Sequence, residues 1–374
     1  MVGAERGYNL MVACFYALPD GAQSFNQLFR MAVREIVSYD YTAKWTGVGE
    51  FTLVIPKSRD FIKTMRLPFV VLIDGDWLIA DDLSYDKEKI TVSGTDAKGI
   101  LSLRVSAFSE QQDAGTQGYD VVEGTTAQCI KHYIDNNLIS PVDSVRAVPM
   151  VFSSGNVTGL QEDAYMARLE NVSQIVSNLC DGAGVGYEVT VNQNISAVGF
   201  VMQLRDSVDR SMEQSERSRV IFSPGWGNVV EMSFEHDIGN LYNAVFSTGA
   251  GVTQCICRSG VPEGLLRREC AIDVSVNTVA DIEKYTLDAV KDNTEKRSFN
   301  VVPLSAGYGS EFFLGDKVTV RDPDTGNNFT AVITQAHKQY SGSERSVEIT
   351  VGEQKQKLLN RIINNLISGT QKRR

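Results

Sequence analysis

The alternation of apolar and polar positions predicts strands over the first third of the chain. Short segments rich in β-branched and aromatic residues recur there, and glycine or Asp-Gly turns separate them. The predicted strands cover residues 33–41, 51–55, 69–73, 77–80 and 90–92. A series of short strands with such turns is typical of an antiparallel barrel or sandwich.

A helical period replaces this alternation in the middle of the chain. Ile130, Ile134 and Leu138 recur at four-residue spacing after Thr125, a residue suited to cap a helix. A second helix is predicted over residues 163–180, with Gly182 placed to end it. The pattern then favours a β-hairpin formed by residues 187–191 and 198–204.

The strand pattern returns after a polar segment, residues 206–219, which we expect to be a linker. A helix at residues 281–293 is predicted to interrupt this second β-rich region. The strands predicted in this region cover residues 220–222, 229–234, 242–247, 254–257, 298–303, 317–321, 329–336 and 346–351.

These elements predict an α+β fold that is mainly β, with two similar antiparallel β-barrel domains, a small α+β middle domain and a C-terminal helix. The expected divisions are a first barrel at 1–110, the middle domain at 111–218, a second barrel at 219–352 with a helical insertion near 261–297, and an amphipathic helix at 353–374.

A weak internal repeat suggests that the two barrels are related. Residues 71–75, Ile79 and residues 90–92 have counterparts, in the same order, in residues 318–322, Ile333 and residues 349–351. Loop lengths differ between the two copies. Two unrelated β-domains remain the alternative, because strands rich in Val, Ile and Thr resemble one another by chance.

The last predicted element has a wide apolar stripe. Residues 354–367 place leucine and isoleucine at helical spacing between polar residues, which predicts an amphipathic helix. We expect Leu359, Ile362, Ile363 and Leu366 to form an oligomer or partner interface, with three such helices packed about a three-fold axis. A helix folded back onto its own barrel is the alternative.

Charge and hydropathy argue against two function classes, specific nucleic-acid binding and membrane spanning. Asp and Glu number 46 against 36 Lys and Arg, a formal charge of -10, which disfavours specific nucleic-acid binding through phosphate neutralisation. No apolar run approaches the roughly 20 residues needed to span a bilayer.

Candidate chemistry is sparse, and we expect no catalytic, cofactor-binding or metal residues. His132, His236 and His337 fall in different predicted elements, and strand alternation places the neighbours of His236 on the opposite face. Cys255 and Cys257 share one strand face, only Cys270 is near in sequence, and we expect reduced, mostly buried thiols. Paired carboxylates at 81–82, 162–163 and at 322 with 324 are calcium-ligand candidates at best, and solvated loop charge is the favoured interpretation.

Two short motifs resemble a known family. Residues 45–56, Trp-Thr-Gly-Val-Gly-Glu followed by a Phe/Leu strand ending in proline, resemble the opening of siphophage tail-tip hub proteins. Residues 314–318, Leu-Gly-Asp-Lys-Val, with the strand at 347–351 resemble the closing barrel of that family. The family includes the N-terminal hub part of tail-associated lysins and the contractile-phage baseplate hub.

The resemblance implies a non-enzymatic homotrimer in the virion, at the tail tip, assembled in the cytoplasm of the bacterial host. Such a trimer closes the tail tube, adapts the six-fold tube or distal tail ring to three-fold tip proteins, and holds the C-terminus of the tape-measure protein. Further tip or receptor-binding proteins would attach to it, and DNA would only pass through its lumen during ejection. The alternatives are a tail-tip peptidoglycan hydrolase and a receptor-binding β-sandwich module.

Overall fold

A computed structural model describes most of the chain, and two compact units are distinguished within it. The larger consists of Met1–Glu231 and Val301–Val351, and the smaller is built on Met232–Asn300. The described residues are 11–19, 24–107, 120–155, 157, 162–192, 199–239, 241–249, 252–257, 264–273, 282–283, 286–287, 295–304, 307–322, 324–342 and 344–352.

Strands outnumber helices among the described residues. The strands before the middle of the chain are β1 (Ala13–Ala17), β2 (Phe29–Val33), β3 (Ser38–Lys44), β4 (Glu50–Pro56), β5 (Phe69–Ile73), β6 (Asp76–Tyr85), β7 (Lys89–Asp96), β8 (Asp120–Thr125), β9 (Met150–Ser153) and β10 (Glu162–Ala167). The later strands are β11 (Gly186–Asn192), β12 (Gly199–Arg205), β13 (Ile221–Phe222), β14 (Val229–Asp237), β15 (Ala244–Gly249), β16 (Val252–Cys257), β17 (Glu269–Asp273), β18 (Lys296–Pro303), β19 (Lys317–Arg321), β20 (Asn328–Ser341) and β21 (Glu344–Gly352). The helices are α1 (Phe25–Leu28), α2 (Arg59–Thr64), α3 (Thr126–Ile134) and α4 (Val172–Ala183). Short 3-10 helices occur at Ala97–Leu103, Ser144–Arg146, Pro224–Trp226 and Gly264–Leu266, and a wider π-helical turn at Asp135–Ile139 continues α3.

A large antiparallel sheet organises the larger unit. Its strands follow the order β21-β20-β3-β4-β7-β6-β5-β1-β2, and β19 also pairs with β20. The long strand β20 joins the early and late strands, since it pairs with β3 in a register that sets Tyr340 opposite Tyr39. Among the described strands this path does not close into a ring. The mainly β prediction is therefore confirmed, whereas two separate closed barrels are not observed, because β20 fuses the two regions into one sheet.

The early strand predictions are confirmed with one correction. The β5–β6 hairpin turns at Asp74 and Gly75, whose φ angles of 52° and 85° are both positive, as a two-residue type I′ turn requires. The single strand predicted over 33–41 is wrong: β2 ends at Val33 and β3 begins at Ser38. The strand is interrupted between these residues because β2 pairs with β1, whereas β3 pairs with β4 and β20.

The first helix prediction is confirmed and the second is corrected. Thr125 caps α3 in a capping box with Gln128. Residues 163–167, predicted as the start of the second helix, instead belong to strand β10, which pairs antiparallel with β8. Helix α4 therefore begins after its cap Asn171 and ends at Gly184, whose φ of 70° is left-handed.

The expected linker at 206–219 is tied to strand β19. The amide of Lys317 donates to the carbonyl of Val208 over 2.9 Å, and the amide of Arg210 donates to the carbonyl of Lys317 over 2.8 Å. The Arg210 guanidinium also pairs with Asp316 at 2.8 Å. This polar segment is therefore part of the larger unit's bonded structure.

The smaller unit contains a three-stranded sheet. Strand β15 lies between β16, which is antiparallel to it, and β17, which is parallel. Residues 282–283 and 286–287 lie in the predicted helix, where Ile282 is fully buried and the Thr286 hydroxyl donates to Ser247 Oγ over 2.6 Å. The remainder of the predicted helix lies outside the described residues.

Candidate functional site

The loop between β3 and β4, residues 44–49, is where several elements of the larger unit meet, and we call it the Trp45 loop. The indole ring of Trp45 lies between two glycines. A Cβ atom built on Gly186 would come within 2.3 Å of that ring, and one built on Gly315 within 2.2 Å. Only glycine leaves room for the ring at these two positions. The two motifs at 45–56 and 314–318 therefore meet in space.

Backbone groups of the Trp45 loop bond to three different elements. The amide of Trp45 donates to the carbonyl of Thr334 in β20 over 2.9 Å. The hydroxyl of Ser177 in α4 donates to the carbonyl of Thr46 over 2.6 Å. The amide of Asp96 in β7 donates to the carbonyl of Gly49 over 3.0 Å. These bonds fix the loop against β20, α4 and β7, because a buried carbonyl needs a partner.

A buried lysine, Lys98, also bonds to the Trp45 loop. Lys98 Nζ donates to the carbonyls of Lys44 and Gly47, the second over 3.0 Å. It lies 5.0 Å from the ring centre of Tyr187 and 4.0 Å from the carboxylate of Asp96. Burial lowers the pKa of Lys98 and raises that of Asp96, while the opposite charge of each partner acts against these shifts.

A second charged pair joins β20 to β6. Lys338 Nζ contacts both carboxylate oxygens of Asp76, at 2.7 and 2.9 Å. The ammonium also lies 5.7 Å from the ring centre of Tyr41 and 5.5 Å from that of Tyr308. Burial raises the pKa of Asp76, and the charge of Lys338 opposes that rise. Burial also raises the pKa of Tyr39, whose hydroxyl lies 3.4 Å from Asp76.

These two charged pairs are suited to fix position rather than to react. Each cation is bonded to a carboxylate or carbonyl oxygen and lies on an aromatic face, which compensates part of its desolvation. Removing one member of either pair would leave the charge of the other member uncompensated in a largely desolvated site. The arrangement therefore specifies how β20, β6 and the Trp45 loop align.

The predicted interface residues Leu359, Ile362, Ile363 and Leu366 lie outside the described residues. Each histidine is paired with a carboxylate at a different place in the fold. His132 contacts Asp120 at 2.7 Å, His236 contacts Glu295 at 3.0 Å, and His337 contacts Asp40 at 3.0 Å. In the larger unit His132 and His337 thus have separate carboxylate partners, and His236 has its own partner in the smaller unit.

The other candidate chemical groups also have structural positions. Cys255 and Cys257 share one strand face as predicted, with sulfur atoms 4.0 Å apart, and both are exposed rather than buried. Asp322 accepts from the amide of Asp324 and the hydroxyl of Thr325, within its own turn. In the described part of the chain, no three His, Cys, Asp or Glu side chains are grouped to hold a metal ion. None of the described helices is long and apolar enough to cross a membrane.

The polar residues that support the Trp45 loop were not predicted from the sequence. Lys98, Asp96 and Ser177 were assigned no role, although Lys98 interrupts the apolar sequence Ala-Lys-Gly-Ile-Leu at 97–101. A lysine inside such a sequence is a signal for a buried, paired cation. Its carbonyl partners, Lys44 and Gly47, are 54 and 51 residues away and could not be identified from the sequence.

Comparison with known proteins matches residues 24–257, more than half of the chain, to the family described as Siphovirus ReqiPepy6 Gp37-like protein.

The fold is similar to the 43 kDa tail protein of prophage MuSo2 from Shewanella oneidensis, at 14% identity and a TM-score of 0.55, over 91% of this chain and 97% of that chain. The tail protein from Neisseria meningitidis matches at 15% identity and a TM-score of 0.55, over 91% and 96% of the two chains. The prophage tail protein gp18 from Listeria monocytogenes matches at 12% identity and a TM-score of 0.51, over 94% and 97%. No curated protein matches the sequence. The resemblance to siphophage tail proteins predicted from residues 45–56 and 314–318 is confirmed.

Proposed function

Since this chain belongs to the Siphovirus ReqiPepy6 Gp37-like family, we propose that it is a structural protein of a phage tail, located in the virion. The observation that carries this proposal is the family match over residues 24–257, and the fold shared with two tail proteins over 91% of the chain supports it. Its role would be mechanical, with buried contacts holding a fixed shape.

More specifically, we propose a tail-tip hub that closes the tail tube and adapts six-fold tube or distal tail parts to three-fold tip proteins. A homotrimer with two similar β-regions per chain would present six comparable surfaces to a hexameric ring. The tape-measure C-terminus and further tip or receptor-binding proteins would be its other partners. The helix carrying Leu359, Ile362, Ile363 and Leu366 would pack about the three-fold axis.

Strand pairing supports the internal repeat on which the pseudo-six-fold idea depends. The meander β5-β6-β7 has the same antiparallel order as β19-β20-β21. In each, the register shifts in the middle strand against the third strand. The shift lies between Ala80 and Asp82 in β6, close after the matched residue Ile79, and between Ile333 and Gln335 in β20, next to the matched residue Ile333. The two bulges are offset by one residue relative to the matched isoleucines, but a bulge in the middle strand against the third strand of both meanders favours duplication over chance similarity.

The net charge suits a lumen through which DNA passes. Each chain carries -10, so three chains would carry -30. A negative bore repels the phosphate backbone, which prevents the genome from sticking during ejection.

The alternatives differ in measurable ways. A peptidoglycan hydrolase would give a lysis band in zymography with the purified chain, whereas a structural hub would give none. A receptor-binding module would bind host-surface glycan directly. The structural role is favoured because two charged pairs are engaged in internal bonds, Lys98 with Asp96 and Lys338 with Asp76.

Electron microscopy of purified virions tests the proposal directly. We expect density for three copies of this chain at the tail tip, adjoining a six-fold ring on one side. A copy number of six or more, distributed along the tube, would contradict the hub role while leaving a tail role intact. Absence of the chain from purified virions would contradict both.

A further inference from the structure

A shallow groove on the larger unit is lined by apolar side chains that lie open to solvent. Its lining is formed by Ser102, Leu103, Arg104, Val105, Val145 and Arg146, and we call it the Val145 groove. Val145 is 87% exposed and Leu103 is 59% exposed. Exposed apolar side chains that cluster around one groove mark a surface for interaction with another molecule.

The groove is held in place by bonds between its own walls. Arg104 Nε donates to the carbonyl of Arg146 over 2.9 Å, and Arg146 Nη2 donates to the carbonyl of Val105 over 2.7 Å. Asp143 caps the turn that carries Val145, since its carboxylate accepts from the Val145 amide over 3.1 Å. A ligand would therefore meet a preformed surface and need little ordering of the groove.

The groove is also positively charged in a chain that is acidic overall. Arg104 and Arg146 donate to carbonyl or amide oxygens, and neither forms an ion pair with a carboxylate among the described residues. Each guanidinium carries five N–H groups, so donors remain for a ligand. Arginine forks match the two oxygens of a carboxylate.

We propose that the Val145 groove binds an acidic, apolar peptide segment of another protein. Aliphatic side chains of that segment would cover Val145 and Leu103, and its carboxylates would bond Arg104 and Arg146. Exposed apolar side chains beside two arginines favour this partner over the alternatives. A basic segment would be repelled by the two guanidinium groups, and a purely apolar segment would leave them unpaired. This inference goes beyond the hub role and does not depend on trimer formation.

Binding of a defined peptide to the full-length protein tests it. The probe is a fluorescein-labelled synthetic peptide in which leucine alternates with glutamate. Its binding is measured by fluorescence anisotropy. Matched peptides carry glutamine or lysine in place of glutamate. We expect the glutamate peptide to bind, and the glutamine and lysine peptides to bind about tenfold more weakly or not at all. Added salt should weaken the glutamate peptide's binding.

Variants locate the site on the chain. Arg104→Gln, Arg146→Gln and Val145→Ser should each weaken binding of the glutamate peptide by about tenfold. Arg66→Gln is the matched control, because Arg66 is exposed and also donates to carbonyls, those of Ile62 and Met65. Leu265→Ser is the apolar control, because Leu265 is fully exposed elsewhere. Circular dichroism of each variant verifies that the fold is retained.

Three outcomes would overturn the proposal. Equal binding of the glutamate and glutamine peptides would show that the two arginines do not bind carboxylates of the peptide. Unchanged binding in folded Val145→Ser and Arg146→Gln variants would place the peptide elsewhere. A Val145→Asp variant that lost self-association in sedimentation velocity, with peptide binding unchanged, would make the groove a contact between copies of this chain.

Discussion

The indole ring of Trp45 lies directly on the α-carbon of Gly315, 270 positions later in the chain. A Cβ atom at 315 would come within 2.2 Å of ring atom Cζ3, and the φ angle of Gly315 is 90°. The residue is therefore glycine for two reasons, space and backbone conformation. The contact links the β3–β4 loop to the turn that precedes β19.

The Trp45–Gly315 contact can be tested by a matched pair of glycine substitutions. Gly309 has a similar φ of 86° but nothing within 4 Å of a built Cβ atom. Gly309→Ala should show only the cost of the left-handed conformation, whereas Gly315→Ala adds a clash with the ring. We expect the free energy of unfolding in urea to fall by about 2 kcal/mol more for Gly315→Ala. Equal losses would contradict the contact.

Lys98 should be far more important for stability than an exposed lysine. Lys98→Met leaves Asp96 buried without its cation, and we expect a loss of about 3 kcal/mol or more in the free energy of unfolding. The control is Lys131→Met, since Lys131 forms an exposed pair with Asp135 one helical turn away, worth about 0.5 kcal/mol or less. The double variant Lys98→Met with Asp96→Asn should recover part of the loss. A loss for Lys98→Met no larger than for Lys131→Met would refute this assignment.

The partly buried carboxyl of Asp76 should give a defined pH dependence. Its pKa is raised in the folded protein, mainly by burial, so the folded state binds this proton more tightly than the unfolded state. Its contribution to stability is therefore largest below the unfolded pKa of about 3.9 and is lost as pH rises through the folded pKa. The stability of the wild type relative to Asp76→Asn should fall with pH across that window. Urea unfolding of both proteins from pH 3 upward, at about half-unit steps, measures this difference, and a difference that rises with pH would contradict the assignment.

The C-terminal segment is expected to contribute to assembly. Ending the chain at Gly352 removes Leu359, Ile362, Ile363 and Leu366, each of which would contribute about 1.5–3 kcal/mol if buried between protomers. Light scattering should show a weakened trimer, with thermal unfolding of the β-regions unchanged. Removing only residues 371–374 is the control and should leave the trimer intact. A chain ending at Gly352 that still forms trimers and builds infectious tails would refute this role.

Local pattern was most reliable where local chemistry decides the structure. Thr125 begins a helix because its side chain caps the first turn, and Asp74-Gly75 closes a hairpin because both residues adopt positive φ. The helix prediction is wrong for residues 163–167 because their apolar spacing also suits a helix, and pairing with β8 outweighs that preference.

The sequence by itself determined the mainly β character, most strand positions and the two motifs that resemble the tail-protein family. These follow from period, turn residues and side-chain type, which act over a few residues. Only the tertiary structure decided that Trp45 meets Gly315, that Lys98 bonds the Trp45 loop, and that β20 joins two β-regions in one sheet. Such contacts depend on which distant surfaces can be buried together with their polar groups satisfied, and that condition is set by the whole fold.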